Sequence, residues 1–172
     1  VLSLVLALAM ILGCFSFVFA TDYKDVADSD SYAEAVSVLS GFGVISGYND
    51  GTFKPDKNVT RAEMAAMIIK ALALKPSGSA STVFTDVPAS HWASGYIAYA
   101  YSLGIISGRT ATSFDPDANV SYDEAVTMLV KSLGYTGEAL TGTYPACYVS
   151  KAKALGILDT VATTGSAKAV RG

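Results

Sequence analysis

Two segments of the chain carry hydrophobic residues at the spacing of an amphipathic helix. The apolar positions recur at i, i+4 and i+8, which places them on one helical face that packs against the rest of the protein. These positions are Met64, Ile68 and Leu72 in the first segment and Ala125, Leu129 and Leu133 in the second. The pattern predicts two helices, each with one buried stripe.

Each of these predicted helices begins with a capping box. Thr60 and Glu63 stand at the start of the first helix, and Ser121 and Glu124 at the start of the second. In this motif the hydroxyl and the carboxylate satisfy two backbone amides that the first helical turn leaves free. We therefore expect these four residues to serve the fold.

A shorter helix is predicted upstream of each capped helix, over residues 32–40 and 92–102. Gly43 and Gly104 follow these segments, and glycine accepts the left-handed conformation at a helix C-terminus. Turn-forming residues, among them Asn49-Asp50-Gly51, connect the first helix to the capped one. The prediction is therefore a mostly α chain of tandem helix-loop-helix units.

The first 20 residues differ from the rest, because 17 of them are hydrophobic and none is charged. A segment this apolar is long enough to cross a bilayer. Its small last residues, Val18 to Ala20, and the abruptly polar sequence that follows are instead typical of a signal peptidase site. We predict a secretory signal peptide over 1–20 without its basic n-region, with a lipoprotein signal ending at Cys14 as the alternative.

An internal repeat organises the remaining chain. A shift of 61 residues aligns 23–73 with 84–134 without a gap and gives 16 identities in 51 positions. A third copy begins near Tyr144, aligned with Trp92 at an offset of 52, and stops where its second helix is expected to start. The predicted organisation is a signal peptide at 1–20, repeat 1 at 21–74, a linker at 75–83, repeat 2 at 84–136 and a partial repeat 3 at 137–172.

Composition narrows the classes of function. The formal net charge is −3 and no basic block is present, which argues against nucleic acid as a partner. The single histidine, His91, and the one cysteine after the signal peptide, Cys147, support neither a metal site nor a cysteine-histidine catalytic arrangement. We expect Cys147 to be a buried small hydrophobe. No catalytic residue, metal or cofactor is predicted.

Five short motifs in a fixed order resemble the S-layer homology repeat of bacterial cell-surface proteins. In this sequence they are the Tyr/Phe-x-Asp-Val opening, His91-Trp92-Ala93, Gly-Ile-Ile-Ser-Gly, Asn-Asp-Gly-Thr-Phe-x-Pro and Val-Thr-Arg-Ala-Glu. The resemblance implies that three repeats assemble into a three-pronged, pseudo-trimeric helical domain. It also implies non-covalent binding to secondary cell-wall polysaccharide, often pyruvylated, at the cell surface. Peptidoglycan is the alternative polymer.

Arg61 is the strongest candidate for ligand contact. A cation in the first turn of a helix opposes the helix dipole, so stability alone does not favour it. The free amides there and the guanidinium fork would together suit a carboxylate such as that of a ketal-linked pyruvate; a surface charge or a salt bridge to a neighbouring copy are the alternatives. Tyr122 takes this position in repeat 2, so we expect weaker binding there or stacking of Tyr122 on a sugar. Arg171 is the candidate equivalent in repeat 3.

Three further residues are candidates for ligand binding. Gly47 and Gly108 close the turn that lies against the ligand in the family, and a glycine there permits either close approach or a positive φ. Trp92 is either a sugar platform or a core anchor. The function predicted overall is non-catalytic wall anchoring, and the alternatives are a subunit of an S-layer lattice or the targeting module of a surface hydrolase.

Overall fold

The computed structural model describes residues 23–76, 78–137, 140–159, 161, 165 and 167–171. The predicted signal peptide and Cys14 lie outside the described residues. The described residues form five α-helices and contain no strand: α1 (Ala33–Gly41), α2 (Arg61–Ala71), α3 (Ser94–Ser102), α4 (Tyr122–Ser132) and α5 (Ala146–Ala154). None of these helices combines the length and the apolar character needed to cross a membrane. The chain divides into two compact units, 1–53 and 54–172.

In the first unit, the aromatic-x-Asp opening holds the loop that follows α1. The Tyr23 ring packs on Phe53 with centroids 5.4 Å apart, and the Asp25 carboxylate accepts a 2.7 Å hydrogen bond from the Phe53 amide. Phe53 is fully buried as a result.

The second unit repeats this arrangement with Phe84, Asp86 and Phe114. The two rings lie 5.4 Å apart, and the Asp86 carboxylate accepts 2.9 Å and 2.7 Å hydrogen bonds from the amides of Phe114 and Asp115. The motif therefore closes the loop between the two helices of its own repeat.

Helices pair across the repeats. α2, from repeat 1, packs on α3, from repeat 2, and α4 of repeat 2 packs on α5 of repeat 3. The same cation-π pair joins both, since Lys70 lies 6.0 Å from the Tyr96 ring and Lys131 lies 5.9 Å from the Tyr148 ring. The packing unit is thus the second helix of one repeat with the first helix of the next.

A closed ring of backbone hydrogen bonds joins the segments that lead into the second helices. Val59 donates to Ala169, Ala169 donates to Val120, and Val120 donates back to Val59, at 2.9, 3.1 and 2.9 Å. Asn58 with Val170, Thr60 with Asn119 and Ser121 with Lys168 form isolated β-bridges around it. This pseudo-threefold central ring places Arg61, Tyr122 and Arg171 at equivalent positions.

Both capping boxes are present at the starts of α2 and α4. The Thr60 and Ser121 hydroxyls accept hydrogen bonds from the amides of Glu63 and Glu124, and the two carboxylates accept from the cap amides at 2.9 and 2.8 Å. Gly43 and Gly104 adopt φ values of +69° and +71° just after α1 and α3, as left-handed C-terminal residues.

The buried stripes are shorter than predicted. Met64, Ile68 and Ala125 are buried, but Leu72 is 37% exposed and Leu133 is 55% exposed. Both leucines are the residues that cap the C-terminal ends of α2 and α4, beyond the last helical turn. The helix periodicity therefore no longer directs them to the core.

Candidate functional site

A cavity of about 650 Å³ opens in the second unit beside the start of α2. Its walls come from the turn after α3, one face of α4, and the beginning of repeat 3 with α5. The polar and aromatic groups that line it are Arg61, Ser107, Arg109, Glu124, Thr127, Lys131, Tyr144 and Tyr148. Residues from all three repeats thus contribute to one cavity.

Arg61 lies at the base of this cavity, and its side chain is only 4% exposed. Nε donates to the Phe114 carbonyl at 2.9 Å, and Nη2 donates to the Ser107 carbonyl at 3.0 Å. Nη1 forms an ion pair with Glu124 at 2.9 Å, and the guanidinium carbon lies 4.5 Å from the Phe114 ring centroid. Arg61 therefore cross-links repeat 1 to repeat 2, which was one of the alternatives left open by the sequence.

The backbone amides at the start of α2 are not available to a ligand. The amides of Arg61 and Ala62 donate to the carbonyls of Ala118 and Pro116, and the Glu63 amide donates to Thr60 Oγ1. The expected anion site of free amides plus guanidinium is therefore wrong, because the central ring and the capping box already use these donors. The guanidinium remains at the cavity wall.

Glu124 receives hydrogen bonds from two directions. Its Oε2 accepts from the Ser121 amide, while Oε1 lies 2.9 Å from Arg61 and 3.1 Å from Arg109. Burial alone would raise the pKa of the Glu124 carboxyl, but the Ser121 hydrogen bond and the two guanidinium charges outweigh it and hold the pKa below its usual range. Burial lowers the pKa of Arg61 against the attraction of Glu124. The carboxylate therefore stays ionised beside both arginines.

Arg109 is the functional candidate that sequence reasoning missed. Its Nε lies 3.3 Å from Asp115, its Nη1 lies 3.1 Å from Glu124, and its side chain is 41% exposed. The aligned position in repeat 1 is Tyr48, so comparison of the repeats showed no shared cation there. The available signal was an arginine directly after the Gly108 turn.

Lys131 and two tyrosines complete the wall opposite the turn. Lys131 stands in the last turn of α4, near the Tyr148 ring. Tyr144 is 61% exposed, and burial on its cavity side, together with the charges of Glu124 and Asp123, raises the pKa of its hydroxyl. The cavity thus offers aromatic surface beside cationic groups.

Gly108 lines the cavity, whereas Gly47 lies in the turn of the first unit. Neither has a positive φ. A Cβ on Gly108 would collide with the Thr110 carbonyl and stand 2.6 Å from the Phe84 ring, and one on Gly47 would collide with the Tyr23 ring. Close packing by the opening aromatic of each repeat explains both glycines.

Trp92 does not anchor the core, because it is 56% exposed and lies just before α3 with its ring 5.9 Å from that of His91. Its aligned counterpart, Tyr144, is a cavity residue. Tyr122 is buried among Val126, Cys147 and Tyr148. Stacking of Tyr122 on a sugar is therefore excluded, since its ring is covered by protein.

Arg171 occupies the central-ring position equivalent to Arg61. Its amide donates to the carbonyls of Pro55 and Lys57 at 3.0 and 3.2 Å. It does not line the cavity described above. Cys147 is buried with a free thiol beside the cavity.

The chain is similar to several bacterial surface proteins over most of its length. It is 35% identical over 156 residues to the middle cell wall protein of Brevibacillus brevis, covering 89% of this chain and 14% of that protein. It is 34% identical over 162 residues to the surface layer protein of Brevibacillus choshinensis, covering 91% of this chain and 14% of that protein. It is 34% identical over 115 residues to the cellulosome-anchoring protein of Acetivibrio thermocellus, covering 64% and 26%.

The matched region therefore spans only a small part of each of these relatives. The family model of the S-layer homology domain matches residues 22–65 and 83–126, which together make up half of the chain. These two segments contain the aromatic-x-Asp openings, the glycine turns and the capping boxes whose geometry is described above. The chain belongs to the S-layer homology domain family.

Proposed function

We propose that this chain anchors an exported protein to the bacterial cell wall by binding an acidic secondary wall polysaccharide in the Arg61 cavity. Family membership supports a cell-surface location, and the names of the cell wall and cellulosome-anchoring relatives support wall attachment. The S-layer homology domain is a non-catalytic anchoring module. We therefore assign the described region a binding role.

The observation that carries the proposal is the charge of the cavity wall. Three cationic side chains, those of Arg61, Arg109 and Lys131, face a single lining carboxylate, that of Glu124. An excess of positive charge in a partly enclosed space favours an anionic ligand, because electrostatic attraction strengthens as water is excluded. A carboxylate such as that of a ketal-linked pyruvate fits these donors.

The aromatic side chains suit the sugar to which that carboxylate is attached. Tyr144 and Tyr148 offer ring faces and hydroxyls at the mouth of the cavity, and such amphipathic rings bind surfaces that are part apolar and part wet. Thr127 and the Gly108 turn bound the remaining space. The cavity thus fits one acidic sugar residue together with part of its neighbour.

The candidate residues take different roles in this proposal. Arg61 contributes charge at the cavity base and holds the Ser107 carbonyl, while Gly108 lets the turn approach the ligand. Trp92 and Arg171 remain candidates through their equivalence to Tyr144 and Arg61, in sites of the neighbouring repeats. Gly47 is the counterpart of Gly108 in repeat 1.

A lattice role for the whole protein is a second candidate, favoured by the surface layer protein among the relatives. In that case the same cavity anchors an assembled layer rather than a single protein. Both proposals require the same wall binding by this chain.

The test compares two lysine variants for binding to purified secondary wall polymer. We expect Lys131→Gln to weaken binding about tenfold, as for loss of a charged hydrogen bond. The matched control is Lys153→Gln, which removes an exposed charge that does not line the cavity. Equal affinities for both variants would contradict the assignment of the cavity as the site.

A second arm tests the acidic group itself. Mild acid hydrolysis removes ketal-linked pyruvate while the polymer chain is retained. We expect the treated polymer to bind the unaltered chain at least tenfold more weakly than untreated polymer. Unchanged affinity would show that pyruvate is not the group recognised.

A further inference from the structure

Arg109 differs from the other cations of the cavity in how it is held. The Arg61 guanidinium is buried and hydrogen-bonded to three protein groups. Arg109 is 41% exposed and its partner Asp115 is 53% exposed, with 3.3 Å between Nε and the carboxylate. An exposed pair of this kind contributes little stability and exchanges readily for another anion.

The second contact of Arg109 does not hold it firmly either. Oε1 of Glu124 already accepts the shorter bond from Arg61, at 2.9 Å against 3.1 Å from Arg109. One carboxylate therefore serves two guanidinium groups, and Arg61 alone suffices to neutralise it. Arg109 is left with charge that Glu124 does not balance.

The backbone fixes where Arg109 starts. Its amide donates to the Ser113 carbonyl at 2.8 Å, directly after the Gly108 turn at the cavity wall. The side chain can therefore swing between the Asp115 side and the cavity while its backbone stays in place. Repeat 1 has Tyr48 at this position and lacks such a group.

We propose that Arg109 is a specificity-determining residue that leaves Asp115 and forms a bidentate pair with the carboxylate of the bound glycan. This inference rests on the proposed binding of an acidic polymer in the cavity. Asp115 then acts as a competitor for the guanidinium, which the ligand must displace. Removal of either residue has opposite effects on affinity.

The experiment measures the affinity of the full chain for purified secondary wall polymer by calorimetry at constant salt. We expect Arg109→Gln to weaken binding about tenfold and Arg109→Lys to recover part of that loss, because lysine keeps the charge without the fork. Asp115→Asn is expected to tighten binding about two- to fivefold, the range of an exposed ion pair. Asparagine also tolerates the positive φ of residue 115, which is 63°.

Each outcome decides between the two proposals. Binding by the unaltered chain with Arg109→Gln within twofold of it would overturn the role of Arg109 alone. Weaker binding by Asp115→Asn would also overturn the exchange, since it would mean that Asp115 positions the arginine for the ligand. No binding by the unaltered chain would overturn the proposed function and this inference with it. Circular dichroism of each variant verifies that it is folded.

Discussion

Arg61 and Glu124 form an ion pair of 2.9 Å in which the arginine side chain is almost completely buried. The arginine is the first residue of α2 in repeat 1, and the glutamate closes the capping box of α4 in repeat 2. The pair therefore connects the starts of two helices that lie 63 positions apart. It also forms the base of the proposed binding cavity, so stability and function depend on the same two side chains.

Replacement of Arg61 by methionine is expected to destabilise the fold by about 3 kcal/mol. Loss of one partner from a buried ion pair leaves the other charge poorly compensated, and the carbonyls of Phe114 and Ser107 lose their donors. Urea unfolding measures this change. Arg109→Gln serves as the control, with an expected change below about 1 kcal/mol, and equal costs for the two variants would contradict the distinction drawn between them.

Gly108→Ala is expected to cost about 1 to 3 kcal/mol, because the added Cβ collides with the Thr110 carbonyl and approaches the Phe84 ring. Gly78 is the matched control, since it has open space around it and no positive φ. Thermal unfolding of the two alanine variants should therefore separate them. A Gly108→Ala protein as stable as Gly78→Ala would refute the close packing of this turn.

Asp86→Asn is expected to destabilise the second unit by about 1 to 3 kcal/mol. The carboxylate accepts from the amides of Phe114 and Asp115 and from the Ser113 hydroxyl, and an amide nitrogen in place of one oxygen cannot accept these bonds. Asp28→Asn changes an exposed residue and provides the comparison. Hydrogen exchange at the Phe114 amide reports the change locally, and unaltered protection there would count against the clamp.

Acid should weaken the fold through Glu124 and Asp86. Burial would raise both pKa values, but hydrogen bonds from backbone amides, joined at Glu124 by the arginine charges, hold both below the usual range. Groups with a depressed native pKa contribute stability above their unfolded pKa, about 4, and lose it as the pH falls through the native value. The free energy of unfolding should therefore decline below about pH 4, and less steeply in Glu124→Gln. Stability that rises on acidification would contradict these directions.

Trp92→Ala is expected to change the free energy of unfolding by less than about 1 kcal/mol, since the side chain is more than half exposed. Phe114→Ala should cost about 3 to 5 kcal/mol, because that ring is fully buried and stacks beneath Arg61. Guanidinium unfolding of the two variants provides the comparison. A large cost at Trp92 would restore the core-anchor interpretation.

The repeats and both capping boxes could be predicted because each rests on neighbours in the sequence. The spacing of Thr60 and Glu63 determines their hydrogen bonds wherever the helix packs. The exposure of Leu72 and Leu133 could not be predicted from periodicity, since it depends on where the helix ends.

The composition of the cavity depended on contacts between repeats. Each repeat, taken alone, predicts a helix-loop-helix unit, and nothing in that pattern indicates that α4 packs on α5 of the following repeat. The partner of Arg61 lies in another repeat, and Arg109 has Tyr48 as its counterpart. Trp92 was ambiguous because an aromatic residue at a helix start suits either a core or a binding surface.

The most direct test of the central claim is co-sedimentation of this chain with purified bacterial walls, before and after extraction of the secondary polymer. The account predicts that the chain sediments with intact walls, stays in solution with extracted walls, and is released from intact walls by added free polymer. Binding that survives extraction would contradict the account and would identify peptidoglycan as the ligand.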